Sequence, residues 1–101
     1  MLEKELEYWL SWKVHWLGGM SFKFVSPGNA GVPDRIFVLP GGEVWFVELK
    51  TENGSLTRVQ QYQGERLRRA GCNYRVIRGK KEAEEWIDEI RAARVSDLRE
   101  G

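Results

Sequence analysis

The segment Val44-Trp45-Phe46-Val47-Glu48-Leu49-Lys50 constrains the fold more than any other stretch of the chain. A nearly continuous apolar run of strand length reads as a β-strand buried on both faces, and so as a central strand of its sheet. Such a strand needs a pairing partner on each edge and a covering layer on each face. That requirement points to a sheet flanked by helices. The chain must also explain why this strand ends in Glu48 and Lys50, two charged residues at the margin of a core.

The remaining elements follow from spacing and breakers. Leu2, Leu6, Trp9, Leu10, Trp16 and Leu17 recur at helical intervals over residues 2–17, interrupted at Lys13, and Gly18-Gly19 stops the helix. Met20 to Val25 alternates and reads as a strand, and Ser26 to Pro33 is a loop of breakers. Arg35 to Leu39 is a strand joined to Val44–Lys50 by the turn Pro40-Gly41-Gly42-Glu43, which makes a hairpin. After a polar loop, Thr57 N-caps a helix running to Ala70 with Gly71 as its stop. Asn73 to Arg78 is a short strand, Lys80 to Ala93 a helix, and Asp97 to Gly101 a frayed tail. The order is αβββαβα, an α/β fold with a mixed central sheet. Its fourth strand runs parallel to the third because a full helix lies in the connection.

At 101 residues and 11.8 kDa the chain reads as a single domain, residues 1–101. Hydrophobic residues make up 42% and charged ones 31%, the composition of a globular domain and not of a disordered one. No apolar run approaches the ~18 residues of a membrane span. Met1 to Glu5 is acidic with no apolar core, so a secretory signal is not expected, and the expected location is cytoplasmic. One cysteine, Cys72, excludes an intrachain disulfide and a cysteine-cluster zinc site. With one histidine besides, His15, little material exists for thiol or imidazole chemistry, and neither residue receives a role. Chemistry in this chain must come from carboxylates, lysines and amides.

Glu48 and Lys50 are two apart on a strand and point to the same face. Burying both near a core edge is costly unless they pair with each other or hold an ion. A simple Glu–Lys pair at the strand end is the plain alternative. Asp34 weighs against it. It opens the strand that pairs with Val44–Lys50, so the hairpin should set it beside Glu48 or Lys50. Asp34, Glu48 and the Leu49 carbonyl would offer three hard oxygen ligands, suited to Mg²⁺ or Mn²⁺. Lys50 would lie beside that ion, able to hold a water or balance charge on a phosphate.

Pro33-Asp34 followed by Glu48-Leu49-Lys50 resembles the signature of the PD-(D/E)xK nucleases. Lys23-Phe24, Ser26-Pro27-Gly28, Gly31-Val32-Pro33-Asp34-Arg35, Phe46-Val47-Glu48-Leu49-Lys50 and Leu56-Thr57-x-x-Gln60 resemble, more narrowly, the VRR-NUC branch of small phage and bacterial proteins. The likeness covers about residues 3 to 90 and departs at none of Asp34, Glu48 and Lys50. It implies a restriction-endonuclease-like core and a metal-dependent endonuclease that hydrolyses DNA, selective for junctions or other branched DNA such as the Holliday junction. It also implies an acid on the first helix that completes the metal site. Glu3 and Glu7 share a helix face, and Glu7, followed by Leu10 and Gly18, matches related junction resolvases better. Gln60 matches the family's glutamine, expected to hold a water, Lys50 or a phosphate. Phosphodiester hydrolysis of this kind needs no covalent intermediate. Two other classes compete: a catalytically silent nucleic-acid-binding module of the same fold, and an interaction domain whose charges are merely paired.

Net charge is only +1, yet Arg66, Arg68, Arg69, Arg75, Arg78, Lys80 and Lys81 form a stretch free of acids. It reads as solvated surface or as a polyanion contact. With the nuclease resemblance, Lys23, Arg68, Arg69 and Lys80 become candidates for DNA phosphate contacts. Trp9, Trp12 and Trp16 lie at helical spacing. Core packing, base stacking and a homodimer interface are the three readings, and a two-fold dimer is the expected state.

Overall fold

The structure, a computed structural model, describes the backbone of residues 1–100 and the side chains of residues 1–94. Its elements are α1 (Glu3–Trp16), β1 (Met20–Lys23), β2 (Arg35–Leu39), β3 (Glu43–Lys50), α2 (Arg58–Arg69), β4 (Asn73–Arg78) and α3 (Gly79–Glu100). The strands form one mixed sheet in the order β1-β2-β3-β4. β1 pairs antiparallel with β2 and β2 antiparallel with β3, while β3 and β4 are parallel. β3 is an interior strand, as its apolar run requires. The αβββαβα order read from the sequence is the observed one.

Two boundaries differ from expectation. β1 ends at Lys23 instead of Val25, although the Phe24 amide still donates to the Asp34 carbonyl at 2.9 Å. α3 continues to Glu100, past Ala93, because no glycine or proline intervenes to stop it. The tail expected from Asp97 is therefore helical to Glu100, and Gly101 lies outside the described residues. No described helix is long and apolar enough to cross a membrane.

Side-chain alternation divides the sheet into two unlike faces. Phe37 and Leu39 of β2, Val47 and Leu49 of β3 and Ile77 of β4 point to one face. There they meet Leu6, Leu10 and Val14 of α1 and Ala83, Trp86, Ile87 and Ile90 of α3. Trp86 sets the centre, with ring centroids 5.4 Å from Phe37 and 5.6 Å from Trp45. The opposite face is covered by α2 near β4. Gly64 makes that approach possible, since a Cβ there would lie 2.6 Å from the Tyr74 ring. α2 starts at a capping box. The Thr57 hydroxyl accepts from the Gln60 amide at 3.2 Å and the Thr57 amide donates to Gln60 Oε1 at 2.9 Å.

Candidate active site

The β2–β3 register pairs Arg35 with Val47, so one further residue along sets Asp34 across from Glu48. The buried Pro33 fixes the backbone entering this position. Asp34 Oδ2 accepts a hydrogen bond from the Leu49 amide at 2.8 Å, which satisfies a strand donor just past the end of the ladder. The loop before Asp34 lies against α2. Gly31 adopts φ 82°, and a Cβ there would come within 2.5 Å of Val59.

Glu48 is the chemical anomaly of the molecule. It is 1% exposed. Its Oε1 accepts from Gln60 Nε2 at 2.9 Å, while Oε2 is buried without a hydrogen-bond partner. A buried ionised carboxylate with an unsatisfied oxygen is unfavourable in an apolar surrounding. Its pKa is accordingly pushed up to about 8, first by burial, then by the negative charge of Asp34 and by a side-chain hydrogen bond that the protonated acid can make to Asp34, against the opposing pull of Lys50. Left alone, the site therefore keeps a proton near neutral pH. A divalent cation between the two carboxylates would satisfy the stranded oxygen and hold both acids ionised. Asp34 and Glu48 thus fit a hard cation. Among the described residues, no group of three or more His, Cys, Asp or Glu is placed to hold a metal ion. Further oxygens would have to come from a backbone carbonyl such as that of Leu49, from water, or from an acid that swings in.

Two acids of α1 were candidates for that last role, and the structure separates them. Glu7 accepts from Arg35 Nη1 at 2.7 Å. Arg35 opposes Val47 and so lies on the core face of the sheet, away from Glu48. Glu3 is exposed at the start of α1, and its negative charge contributes to the raised pKa of Glu48. The docking of α1 explains the difference. Its first residues overhang the end of β3, where the Met1 amine lies 3.8 Å from Glu52.

Gln60 is held at both ends of its amide, by Thr57 and by Glu48. It positions the carboxylate, with one N–H and one lone pair of the amide still unused. Lys50 is half-buried on the same face as Glu48. Parallel pairing sets Arg78 beside it, a residue that sequence reasoning left inside the basic stretch. The signal was available: with β4 parallel to β3, the last residues of both strands fall side by side.

The basic stretch does not form one face. Arg68 stacks 4.8 Å above the Tyr74 ring, and Arg69 pairs with Glu65 at 3.3 Å on the surface of α2. Arg75 bonds Glu89 of α3 at 2.6 Å across the core face, and Lys80 lies 3.9 Å from Glu84. Lys23 is exposed at the end of the edge strand β1. The tryptophans divide as well. Trp9 packs against the core, whereas Trp12 and Trp16 are 46% and 76% exposed. Leu6, Leu10 and Val14 already fill the stripe facing the sheet, so core packing holds for Trp9 alone.

No family model matches the sequence. The chain is 43% identical over 65 residues to "Putative nuclease p44" of Acyrthosiphon pisum secondary endosymbiont phage 1, covering 64% of this chain and 70% of that protein. It is also similar to a solved structure described as a VRR_NUC domain. The TM-score is 0.81 at 32% identity, over 85% of this chain and 94% of that one. Sequence likeness, fold and the shared order of elements together make this chain a member of the VRR-NUC family.

Proposed function

We propose that this protein is a metal-dependent deoxyribonuclease that hydrolyses DNA phosphodiester bonds, with branched DNA as its preferred substrate. The observation that carries the reading is buried Glu48, with one oxygen lacking a partner beside Asp34 and Lys50 on the same face. The name of the phage relative and the kinship to a VRR_NUC domain support it.

Asp34, Glu48 and the Leu49 carbonyl hold Mg²⁺ or Mn²⁺ in this reading. The bound ion supplies a water of lowered pKa and neutralises charge on the scissile phosphate. Glu3 takes the helix-acid role in place of Glu7, which is committed to Arg35. Lys50 orients the attacking water or balances the phosphate, and Gln60 keeps Glu48 turned toward the site. Lys23, Arg68, Arg69 and Lys80 are further candidates for phosphate contacts. The homodimer belongs to the same reading. Tyr8, Trp12 and Trp16 of α1 are exposed, Met20 of β1 lines one cleft with Tyr8 and Trp12, and a two-fold pair suits a two-fold symmetric junction. Action inside a bacterial or phage-infected cell accords with the source of the relative.

The test is cleavage of labelled four-way junction, flap and duplex DNA in Mg²⁺, in Mn²⁺ and in EDTA, with sedimentation equilibrium on the same preparation. The expected result is metal-dependent cutting, fastest on the junction, by a dimer. Lys50→Ala should lower the rate by about a hundredfold or more, the scale of losing a charge-stabilising group. DNA binding without cutting under every condition would favour the silent binding module instead.

A further inference from the structure

We propose that Arg78, with Lys50, forms a phosphate-binding site at the end of the sheet that receives the DNA backbone next to the bond being cut. The inference rests on the nuclease reading and extends it to a residue outside the acid–lysine signature.

The parallel β3–β4 register pairs Lys50 with Arg78 and Glu48 with Val76. Both basic side chains therefore leave the sheet on the Glu48 face, from adjacent strands, at the end where the acids lie. The Arg78 side chain is held through Nε. Its Nε donates to the Gly54 carbonyl at 3.3 Å, and its backbone amide donates to Glu82 Oε1 at 2.9 Å. Gly54 in turn sits against Lys50, since a Cβ at Gly54 would meet Lys50 Cβ at 3.1 Å. The turn after β3 thus ties the two cations into one unit.

Neither Arg78 nor Lys50 forms an ion pair among the described residues. The terminal nitrogens of Arg78 donate to no described protein acceptor. Two cations side by side on neighbouring strands repel each other. A guanidinium anchored through Nε, with its planar fork left open, is suited to two oxygens of a phosphate, and the lysine to a third. The contrast with Arg75, on the same strand, is instructive. Its fork is filled by both oxygens of Glu89, at 2.6 and 3.2 Å.

The test is the salt dependence of duplex DNA binding in EDTA, with KCl varied from about 50 to 200 mM, the range over which phosphate contacts are read. Wild type, Arg78→Ala and Arg75→Ala are compared. Loss of one phosphate contact should make the slope of log K against log salt shallower by about one and weaken affinity about tenfold. Arg75→Ala should leave both unchanged. If Arg78 only anchors the turn at Gly54, the slope of Arg78→Ala will equal that of wild type, and the proposal falls. Arg78→Gln keeps an amide donor for Gly54 and drops the charge, so its slope decides the same question if the alanine variant does not fold. Cleavage by wild type in Mg²⁺, run alongside, tests the nuclease reading by itself. An unchanged slope in a protein that cuts overturns the Arg78 assignment alone.

Discussion

The two faces of the sheet are built to opposite specifications, although β3 contributes to both. Toward α1 and α3 it presents Trp45, Val47 and Leu49, packed in a cluster of apolar side chains in which the indole N–H groups of Trp45 and Trp86 are unpaired. Toward α2 it presents Phe46, Glu48 and Lys50, under a helix whose buried residues are only Gln63 and Gly64. One face gains stability from apolar area. The other gives some of it up by enclosing a carboxylate that no protein group fully satisfies. A domain of this size has few kcal/mol to spare, so the division matters. Two helices concentrate the core on one side, and the other side is left free to enclose an acid.

The comparison would break most plainly at Phe37. Phe37→Ala removes a fully buried ring from against Trp86 and should cost about 3–5 kcal/mol in urea denaturation. Below its unfolding transition the variant should still cut DNA at close to the wild-type rate. A large loss of activity in the folded variant would mean that the faces are not separable.

Gln60 sharpens the contrast from the other side. Gln60→Ala loses half of the capping box, about 1 kcal/mol, and also frees Glu48. Activity should fall about 10- to 100-fold, as for partners that orient a metal ligand. Thr57→Ala, which damages the same cap without touching Glu48, should show the stability loss with most of the cleavage rate retained.

A third test concerns protons. Glu48 titrates at about 8 in the fold against 4.5 as an ordinary glutamate, so the folded state binds the extra proton between those values. Metal-free wild type should therefore lose stability as pH rises from about 4.5 to 8 and level off above that. Glu48→Gln, which keeps the acceptor for Gln60, should lack this decline. The difference between the two proteins in urea midpoint, measured across that range, should widen with pH. A constant difference would mean that Glu48 is not held protonated.

Much of this organisation was legible in the sequence because it is local. The Asp34–Glu48 juxtaposition needs only strand alternation and a short turn, and Thr57 and Gln60 announce the start of α2 by type and spacing. What was not legible depends on docking. Spacing alone leaves Glu3 and Glu7 equivalent, whereas in the fold Arg35, 28 residues from Glu7, draws Glu7 to the core face. The basic stretch looked continuous until β4 sent Arg75 to one side of the sheet and Arg78 to the other. Trp12 and Trp16 share helical spacing with Trp9, but how far α3 reaches across α1 decides which ring is covered.

Gln60 has a further consequence, in the directionality of its amide. One prong accepts from Thr57 and the other donates to Glu48, so the group cannot be turned around without facing donor to donor and acceptor to acceptor. Glutamate at this position would still complete the helix start yet turn a second anion on Glu48. Asparagine has the right polarity and is one methylene too short to span both partners. Position 60 therefore works as a polarity key. The first turn of α2 and the acid of β3 are joined by a single side chain that admits one orientation, and a change at either end is felt at the other.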